Sequence, residues 1–309
     1  MDNVPRGPLS LFWPRQAQPS DAEAIKHLWW AEARRGRSDQ SWWLSEIEET
    51  SSRWIVLEHE GQIRGAAFMF WHQPTKADRV LLVQPLLAAD EDAEGSLLRW
   101  ILNEASDLPP CRVQIWRGCG HDGLLPDFGF AHTRTYWRMD RPTLEGLEPV
   151  DLPSGYTLVS TDEGQPPVAD WLTAYDRAFS EEWDYSPEPI DRFTRRLTRQ
   201  GHHQRLNLAA IDDEGRVASL VLCRLAFHSG DARPQPVGSV DVVGTVPNAR
   251  RKGLARALMI QGLCRLRSND ARSGSIRVDA ENPSQSYRLY QELGFEKVFE
   301  LCIFERHLA

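Results

Sequence analysis

The sequence predicts two successive α/β domains, each with a mixed, mostly antiparallel, twisted sheet flanked by helices. The length of 309 residues suits two domains of ordinary size. A hairpin with an acidic, glycine-containing turn is indicated at 58–70 and again at 211–225, which suggests a repeated plan. Each half also ends in Gly-Phe followed by a strand, at Gly129 and at Gly294. Strands interleaved with helices in this order predict a mixed sheet.

A connector rich in proline, glycine and acidic residues separates the two halves. In the second half, the clearest helix is predicted at 254–266, where apolar residues recur at helical spacing. We expect four segments: an N-terminal arm at 1–14, a first domain at 15–145, a linker at 146–155, and a second domain at 156–309.

Composition and charge indicate a globular protein and argue against several kinds of partner. The hydrophobic fraction of 41% and charged fraction of 26% are typical of a soluble globular protein. We expect a cytoplasmic location and no membrane partner, because the N-terminus does not resemble a secretory signal. A net charge of −8 argues against nucleic-acid binding. The five cysteines are scattered, which predicts reduced thiols and no metal.

The segment that carries the chemistry is a strand, a turn and a helix. A β-branched strand at 240–246 runs into Pro247, and the following helix opens at Gly253. A glycine lets the backbone approach a ligand closely, and the first turn of a helix offers unpaired N–H groups with partial positive charge. The basic run at 250–252 adds cationic charge. The pattern indicates a pyrophosphate site, although a solvated basic turn has the same composition.

Two motifs together resemble the hallmarks of the GNAT acetyltransferase superfamily. The first is Arg-x-x-Gly-x-Ala, from Arg250 to Ala255, and the second is the run 278–295 with Asn282, Leu-Tyr and Gly-Phe. The resemblance covers the second half of the chain. It implies acetyl-CoA as the cofactor and acetyl transfer by direct attack of the primary amine of a small molecule in a ternary complex. The tandem arrangement is similar to that of the mycothiol synthases, which act on a sugar-linked cysteine amine.

The resemblance also implies which residues hold the cofactor. The end of the strand before the loop is expected to hydrogen-bond the pantetheine arm as an added strand does, and Gly244 is consistent with a bulge there. Arg250 is expected to help order the loop. The cofactor residues expected in this way are Val243, Gly244, Thr245, Arg250, Arg251, Lys252, Gly253, Leu254, Ala255, Asn282 and Tyr287.

Two residues are candidates for proton transfer. Tyr290 stands where the family places its general acid, which protonates the departing thiolate. Core packing is the alternative for this side chain, and Tyr287 is the second candidate for the acid. Strand alternation places Asp241 on one face with Val243 and Thr245, so that it is a candidate general base. The alternative is that Asp241 faces a neighbouring arginine.

Contacts to the acceptor amine are expected from an acidic and aromatic segment. The run 179–185 falls in the region that forms the acceptor wall in the family, and its carboxylates and aromatic rings suit a cationic amine. Glu182 and Asp184 are the candidates there, with Ser239 on the strand before the loop. An exposed acidic loop is the alternative.

The first half resembles a GNAT domain that has lost its cofactor loop. The corresponding segment, 87–96, contains four acidic residues and no basic one, so it would repel a pyrophosphate. This half holds ten of the twelve tryptophans, including the pairs at 29–30 and 42–43. We expect it to serve structure or acceptor binding, in a monomer or a homodimer. The alternatives for the whole chain are a non-catalytic acyl-CoA sensor and a Trp-rich interaction module.

Overall fold

The computed structural model describes residues 12–35, 53–75, 78–107, 111–163, 166–198, 204–227 and 236–308. The chain divides into two compact units. The first unit is Met1–Tyr136 with Phe299–Ala309, and the second unit is Trp137–Val298. The mixed α/β class predicted from the sequence is confirmed.

Twelve strands and six α-helices are present in the described residues. The strands are β1 (Trp13–Gln16), β2 (Trp54–His59), β3 (Gln62–Thr75), β4 (Asp78–Ala88), β5 (Cys111–Gly118), β6 (Ala131–Arg141), β7 (Tyr156–Ser160), β8 (Asn207–Asp212), β9 (Val217–Phe227), β10 (Pro236–Thr245), β11 (Ser273–Asp279) and β12 (Glu296–Leu308). The helices are α1 (Ala22–Arg34), α2 (Glu91–Ser106), α3 (Val168–Phe179), α4 (Ile190–Thr198), α5 (Leu254–Arg267) and α6 (Tyr287–Glu292).

In the sheet of the first unit, most neighbouring strands pair antiparallel, and one pair is parallel. Strands β1 to β4 pair antiparallel in succession, and β4 and β5 pair parallel. Helices α1 and α2 bury apolar faces, with Trp29 and Leu97 in the core. The tryptophan pair at 42–43 lies outside the described residues, whereas Trp29 and Trp54 are almost fully buried. These two side chains therefore serve packing rather than an exposed docking patch.

The N-terminus of α2 shows how the first half closes its own helix end. Asp90 is the N-cap residue, and its side chain accepts a hydrogen bond from the Ala93 N–H at 2.9 Å. The Ala93 N–H is therefore already hydrogen-bonded and is not available to an anionic ligand. Further into the helix, Glu94 forms a buried ion pair with Arg117 at 2.6 Å. Acidic side chains thus stand where the second half has its basic loop.

The last strand of the chain joins the first unit, which differs from the domain limits expected from the sequence. Strand β12 pairs antiparallel with β5, from Leu301 opposite Gly118 to Leu308 opposite Cys111. The sequence suggested a single boundary near the connector. Local patterns identify a strand, but they do not reveal a pairing partner almost two hundred residues away.

The expectation of reduced thiols is wrong for two of the five cysteines. Cys119 and Cys302, which are 183 positions apart in the chain, form a disulfide. Cys302 lies on β12, and Cys119 directly follows β5, so the pairing of these two strands brings the thiols together. The other three cysteines are free and buried, as small apolar side chains commonly are.

The second unit carries the strand, loop and helix with the basic motif. Strands β7 to β10 pair antiparallel in succession, and β10 pairs parallel with β11. Helix α5 begins at Leu254, as predicted, and buries Leu258 and Leu263 in the core. Helix α6 has only six residues and begins at Tyr287. Asn282 accepts a hydrogen bond from the Ser284 N–H, and Gln285 is left-handed, so turns precede the helix.

The described parts of the chain contain no helix with both the length and the apolar character needed to cross a bilayer. Among the same residues, no group of three or more His, Cys, Asp or Glu side chains is arranged to hold a metal ion.

Candidate active site

The loop between β10 and α5 has a backbone shape that few sequences can adopt. A short 3-10 turn at Pro247–Ala249 follows the strand. Arg251 then takes a left-handed conformation with φ of 61°, and Gly253 does the same with φ of 84°. Glycine adopts this region without steric cost. The two left-handed residues change the direction of the chain between the end of β10 at Thr245 and the start of α5 at Leu254.

The turn leaves a row of backbone donors without acceptors. Helix α5 makes its first hydrogen bond from the Ala257 N–H to the Gly253 carbonyl at 3.0 Å. Among the described residues, no acceptor contacts the N–H groups from 251 to 255. These five amides, without an acceptor in the described residues, therefore lie next to one another in the chain at the positive end of a 14-residue helix. This arrangement fits a diphosphate, which accepts several N–H bonds and is attracted by the helix dipole.

The side chain of Arg250 stabilises the loop through hydrogen bonds to neighbouring protein atoms. Its guanidinium donates to the Thr245 carbonyl at 3.3 Å, to the Ala178 carbonyl at 3.2 Å and to the Glu181 carboxylate at 2.8 Å. These contacts join the loop to the end of α3. The expected role of Arg250 in ordering the loop agrees with this geometry, because the side chain bonds to protein atoms on three sides.

Strands β10 and β11 diverge beside the loop. Their parallel pairing runs from Val237 opposite Ser273 to Val240 opposite Ile276, although both strands continue further. Residues 243–245 lie beyond the last pair, and within the described residues their backbone edge towards β11 has no paired strand. An extended ligand arm can add to such an edge as a strand does. We call this unpaired edge of residues 243–245 the slot. It precedes the loop that contains the amides of residues 251–255.

Gly244 lies at a close approach rather than at the bulge. A Cβ at this position would come within 2.9 Å of Phe179 Cε2 and 3.0 Å of Ala178 Cβ. Glycine is needed because α3 packs directly against the strand. The register shift falls between Val240 and Val242 instead. The bulge is therefore centred three residues earlier than the sequence suggested.

Asp241 sits at that bulge and is ion-paired. Its carboxylate accepts from Arg224 Nε at 2.5 Å and from the Ser239 hydroxyl at 2.5 Å. Burial lowers the pKa of Arg224, and the charge of Asp241 opposes that shift. The extra residue also interrupts the alternation that placed Asp241 on one face with Val243. The geometry matches the alternative in which this carboxylate faces an arginine.

Tyr290 is buried in the core of the second unit. It is 5% exposed, and its ring meets Phe295 edge-on at 6.3 Å. Burial raises the pKa of its phenol, and the negative charge of Glu182 acts in the same direction, while a hydrogen bond with Ser286 opposes it. The phenol therefore keeps its proton at neutral pH, which is the state that a proton donor needs.

Tyr287 has a different environment from Tyr290, although it is on the same helix. Its ring meets Trp137 edge-on at 5.1 Å, and the ammonium of Lys297 lies 5.1 Å from the Trp137 ring centre. The aromatic contact holds α6 in place. Tyr287 contributes packing here, and its expected cofactor contact stays a prediction.

The structure brings together two residues that were expected to have separate roles. The side-chain amide of Asn282 donates to both carboxylate oxygens of Glu182, at 2.6 and 2.7 Å. Glu182 belongs to the turn after α3, whose backbone is closed by a bond from the Glu182 N–H to the Phe179 carbonyl at 2.8 Å. Asp184, in the same segment, is left-handed with φ of 57°. The acidic segment is thus tied to the loop before α6.

Arg224 is the residue of this site that sequence analysis missed. It lies on β9, and its side chain is only 5% exposed. A signal was present, because an arginine within an otherwise apolar strand needs a buried anion. Asp241 was the acidic residue on the neighbouring strand. The pairing could have been inferred from those two facts.

These features define a class of protein, an N-acetyltransferase that takes its acetyl group from acetyl-CoA. The model of the Acetyltransferase (GNAT) family matches residues 168–295, from α3 to the end of the second motif. The chain belongs to this family. The predictions of a GNAT N-acetyltransferase and of acetyl-CoA are confirmed, and the non-catalytic alternatives are not favoured.

Curated relatives with long alignments are mycothiol acetyltransferases. The one from Thermobispora bispora is 30% identical over 264 residues, which cover 80% of this chain and 81% of the relative. The one from Kytococcus sedentarius is 29% identical over 299 residues, which cover 92% of this chain and 93% of the relative. The second alignment extends through both units.

Solved structures support the tandem architecture. A GCN5-related N-acetyltransferase from Sphaerobacter thermophilus superimposes with a TM-score of 0.72 at 18% identity, covering 96% of this chain and 95% of that one. A tandem GNAT protein from the clavulanic acid biosynthesis pathway gives 0.66 at 15% identity, covering 96% and 98%. At such identities the likeness shows the fold alone.

Proposed function

We propose that this acetyltransferase acts on the primary amine of a small molecule, namely the amine of a sugar-linked cysteine, and that the amine attacks directly in a ternary complex. The unpaired edge of β10 carries the proposal, because Gly244 on this edge lies against Phe179, whose carbonyl accepts from the Glu182 N–H of the acidic turn. The relatives named mycothiol acetyltransferase support the choice of acceptor. The acidic turn supports a cationic amine over an anionic acceptor.

The loop and the slot are proposed to bind different parts of acetyl-CoA. The amides from 251 to 255 hold the pyrophosphate, while Arg250 keeps the loop in shape. The open backbone edge of 243–245 aligns the pantetheine arm and presents N–H groups to the thioester carbonyl. Acetyl-CoA supplies the acetyl group as an activated thioester.

Glu182 is the proposed partner of the acceptor ammonium group. Its carboxylate is held in place by a neutral amide, that of Asn282, and its charge acts on Tyr290. Asp184 and Ser239 are proposed as further contacts. Asp241 is already paired with Arg224, and this pairing weakens its attraction for a second cation. That Asp241 is the general base stays a prediction.

Tyr290 is the proposed general acid. A buried phenol that remains protonated can donate to a thiolate as it departs. The charge of Glu182 contributes to the raised pKa of Tyr290, which supports a location of this phenol near the proposed acceptor site. With Asp241 as the predicted base, the proton removed from the amine and the proton that Tyr290 gives to the sulfur pass through different side chains.

An acceptor panel tests the proposal. The intact protein is incubated with acetyl-CoA and, separately, with the sugar-linked cysteine amine, the same sugar lacking cysteine, free cysteine, and simple primary amines, and acetylated products are quantified by mass spectrometry. We expect kcat/KM for the sugar-linked cysteine to exceed that of the others by about 100-fold, since several contacts are lost with each truncation. Equal or faster turnover of another amine would overturn the acceptor assignment. The matched control is the acceptor with its amine already blocked.

A further inference from the structure

A polar pocket borders the cofactor loop of the second unit. It has a volume of about 220 Å³, and its walls come from the start of β7, the end of α3, the turn between β8 and β9, and the loop itself. The side chains that the argument uses are Tyr156, Arg177, Asp212, Arg216, Asn248 and Lys252. None of them except Lys252 has a role in the function proposed above.

The pocket has an excess of positive charge. Its lining includes three cationic side chains, those of Arg177, Arg216 and Lys252, and one carboxylate, that of Asp212. Two positive charges are therefore in excess. A phosphate monoester carries a charge of about −1.5 to −2 at pH 7, which matches this excess more closely than a singly charged anion does.

Two of the three cations lack a carboxylate partner within the described chain. Lys252 Nζ lies 3.0 Å from the Tyr156 hydroxyl, and Arg177 donates to the side-chain carbonyl of Asn248 at 3.4 Å. Arg216, by contrast, pairs with two carboxylates, that of Asp212 at 2.9 Å and that of Glu214, outside the pocket lining, at 2.7 Å. Neutral partners fix the direction of a cation without cancelling its charge. Arg177 and Lys252 are thus oriented and still able to bind an anion.

Lys252 connects the pocket to the cofactor loop. Its N–H is one of the amides proposed to hold the pyrophosphate, and its side chain lines the pocket. An anion in the pocket would lie within one side-chain length of that diphosphate. Coenzyme A carries a phosphate monoester on the ribose next to its pyrophosphate. We propose that this pocket binds the ribose 3′-phosphate of coenzyme A, an inference that rests on the cofactor loop proposed above.

Binding of coenzyme A and of 3′-dephospho-coenzyme A to the intact protein tests the inference. By titration calorimetry, we expect the wild type to prefer coenzyme A by about tenfold, which is a modest value for charge-assisted contacts at a solvated site. Arg177→Ala and Arg216→Ala should each reduce this preference several-fold and leave the affinity for the dephospho form within about twofold. Equal weakening of both ligands by the variants would overturn the proposal.

Arg195→Ala is the matched control. Arg195 pairs with Asp191 four residues away and is 71% exposed, and Arg216 pairs with Asp212 in the same way and is 62% exposed. We expect this control to retain the full preference for coenzyme A. A wild type that binds both nucleotides equally refutes the pocket but leaves the cofactor loop intact, whereas binding of neither nucleotide refutes the loop itself. Inorganic phosphate that binds the pocket of coenzyme A-saturated protein would show a free anion as the occupant and overturn the assignment.

Discussion

Replacing Tyr290 by phenylalanine removes a single hydroxyl group from a buried ring. The ring contact with Phe295 and the burial of the side chain are retained, so the fold should be affected only through the lost hydrogen bond with Ser286. That loss costs about 1 kcal/mol of the free energy of unfolding. The effect on the reaction should be much larger, because a positioned proton donor contributes about 10²- to 10⁴-fold to the rate.

We therefore expect kcat of Tyr290→Phe to fall by about 10²-fold or more, equivalent to about 3 kcal/mol of transition-state stabilisation, with KM for acetyl-CoA nearly unchanged. Burial raises the pKa of this phenol. In the wild type, Tyr290 consequently stays protonated as the pH rises towards 10, and kcat should show no decline in that range from its ionisation. Steady-state kinetics between pH 6 and 10, with thermal unfolding as a folding check, measure both effects.

Tyr287→Phe is the matched control on the same helix, since it also removes one hydroxyl group. Its ring contact with Trp137 remains, and we expect kcat within about threefold of the wild type. A folded Tyr290→Phe variant with nearly normal kcat would refute the assignment of the acid. A large loss in Tyr287→Phe alone would transfer the role to that residue.

Three further predictions follow from other parts of the chain. Arg250→Ala should raise KM for acetyl-CoA about tenfold, because three contacts that brace the loop are lost; an unchanged KM contradicts this. Titration calorimetry should give a stoichiometry of one coenzyme A per chain, because in the first unit the Asp90 carboxylate already accepts a hydrogen bond from the Ala93 N–H. A stoichiometry of two would disprove this prediction. Unreduced, unfolded protein should show three free thiols. Cys302→Ser should lower the free energy of unfolding by up to about 5 kcal/mol, and five titratable thiols would argue against the disulfide.

The elements that sequence analysis predicted well are those with local signals. Helix α4, at Ile190–Thr198, contains apolar residues at helical spacing, and α5 begins at the predicted residue. Both are marked by spacing of apolar residues or by a glycine at the boundary. The loop from 250 to 255 was recognisable for the same reason, because its glycine, its basic residues and the preceding strand are contiguous. A short stretch of chain contains all the information.

The features that were missed depend on pairings between distant segments. The bond between Glu182 and Asn282 joins residues 100 positions apart, and which arginine faces Asp241 depends on the register of β9 and β10. The bulge at Asp241 changes which side chains share a face, and alternation alone cannot show where such an insertion falls. The disulfide was missed because neither thiol has a partner nearby in sequence.

The return of β12 to the first unit bears on how the protein is made. Strand β5 is synthesised long before residues 301–308, which pair with it, so the sheet of the first unit lacks one neighbour while the ribosome translates the whole second unit. An unpaired strand edge is a site of aggregation. The first unit therefore cannot complete its folding before the end of the chain has been synthesised. In a nascent chain halted after residue 300, β5 and Cys119 would lack their partners and could misfold or bind a chaperone.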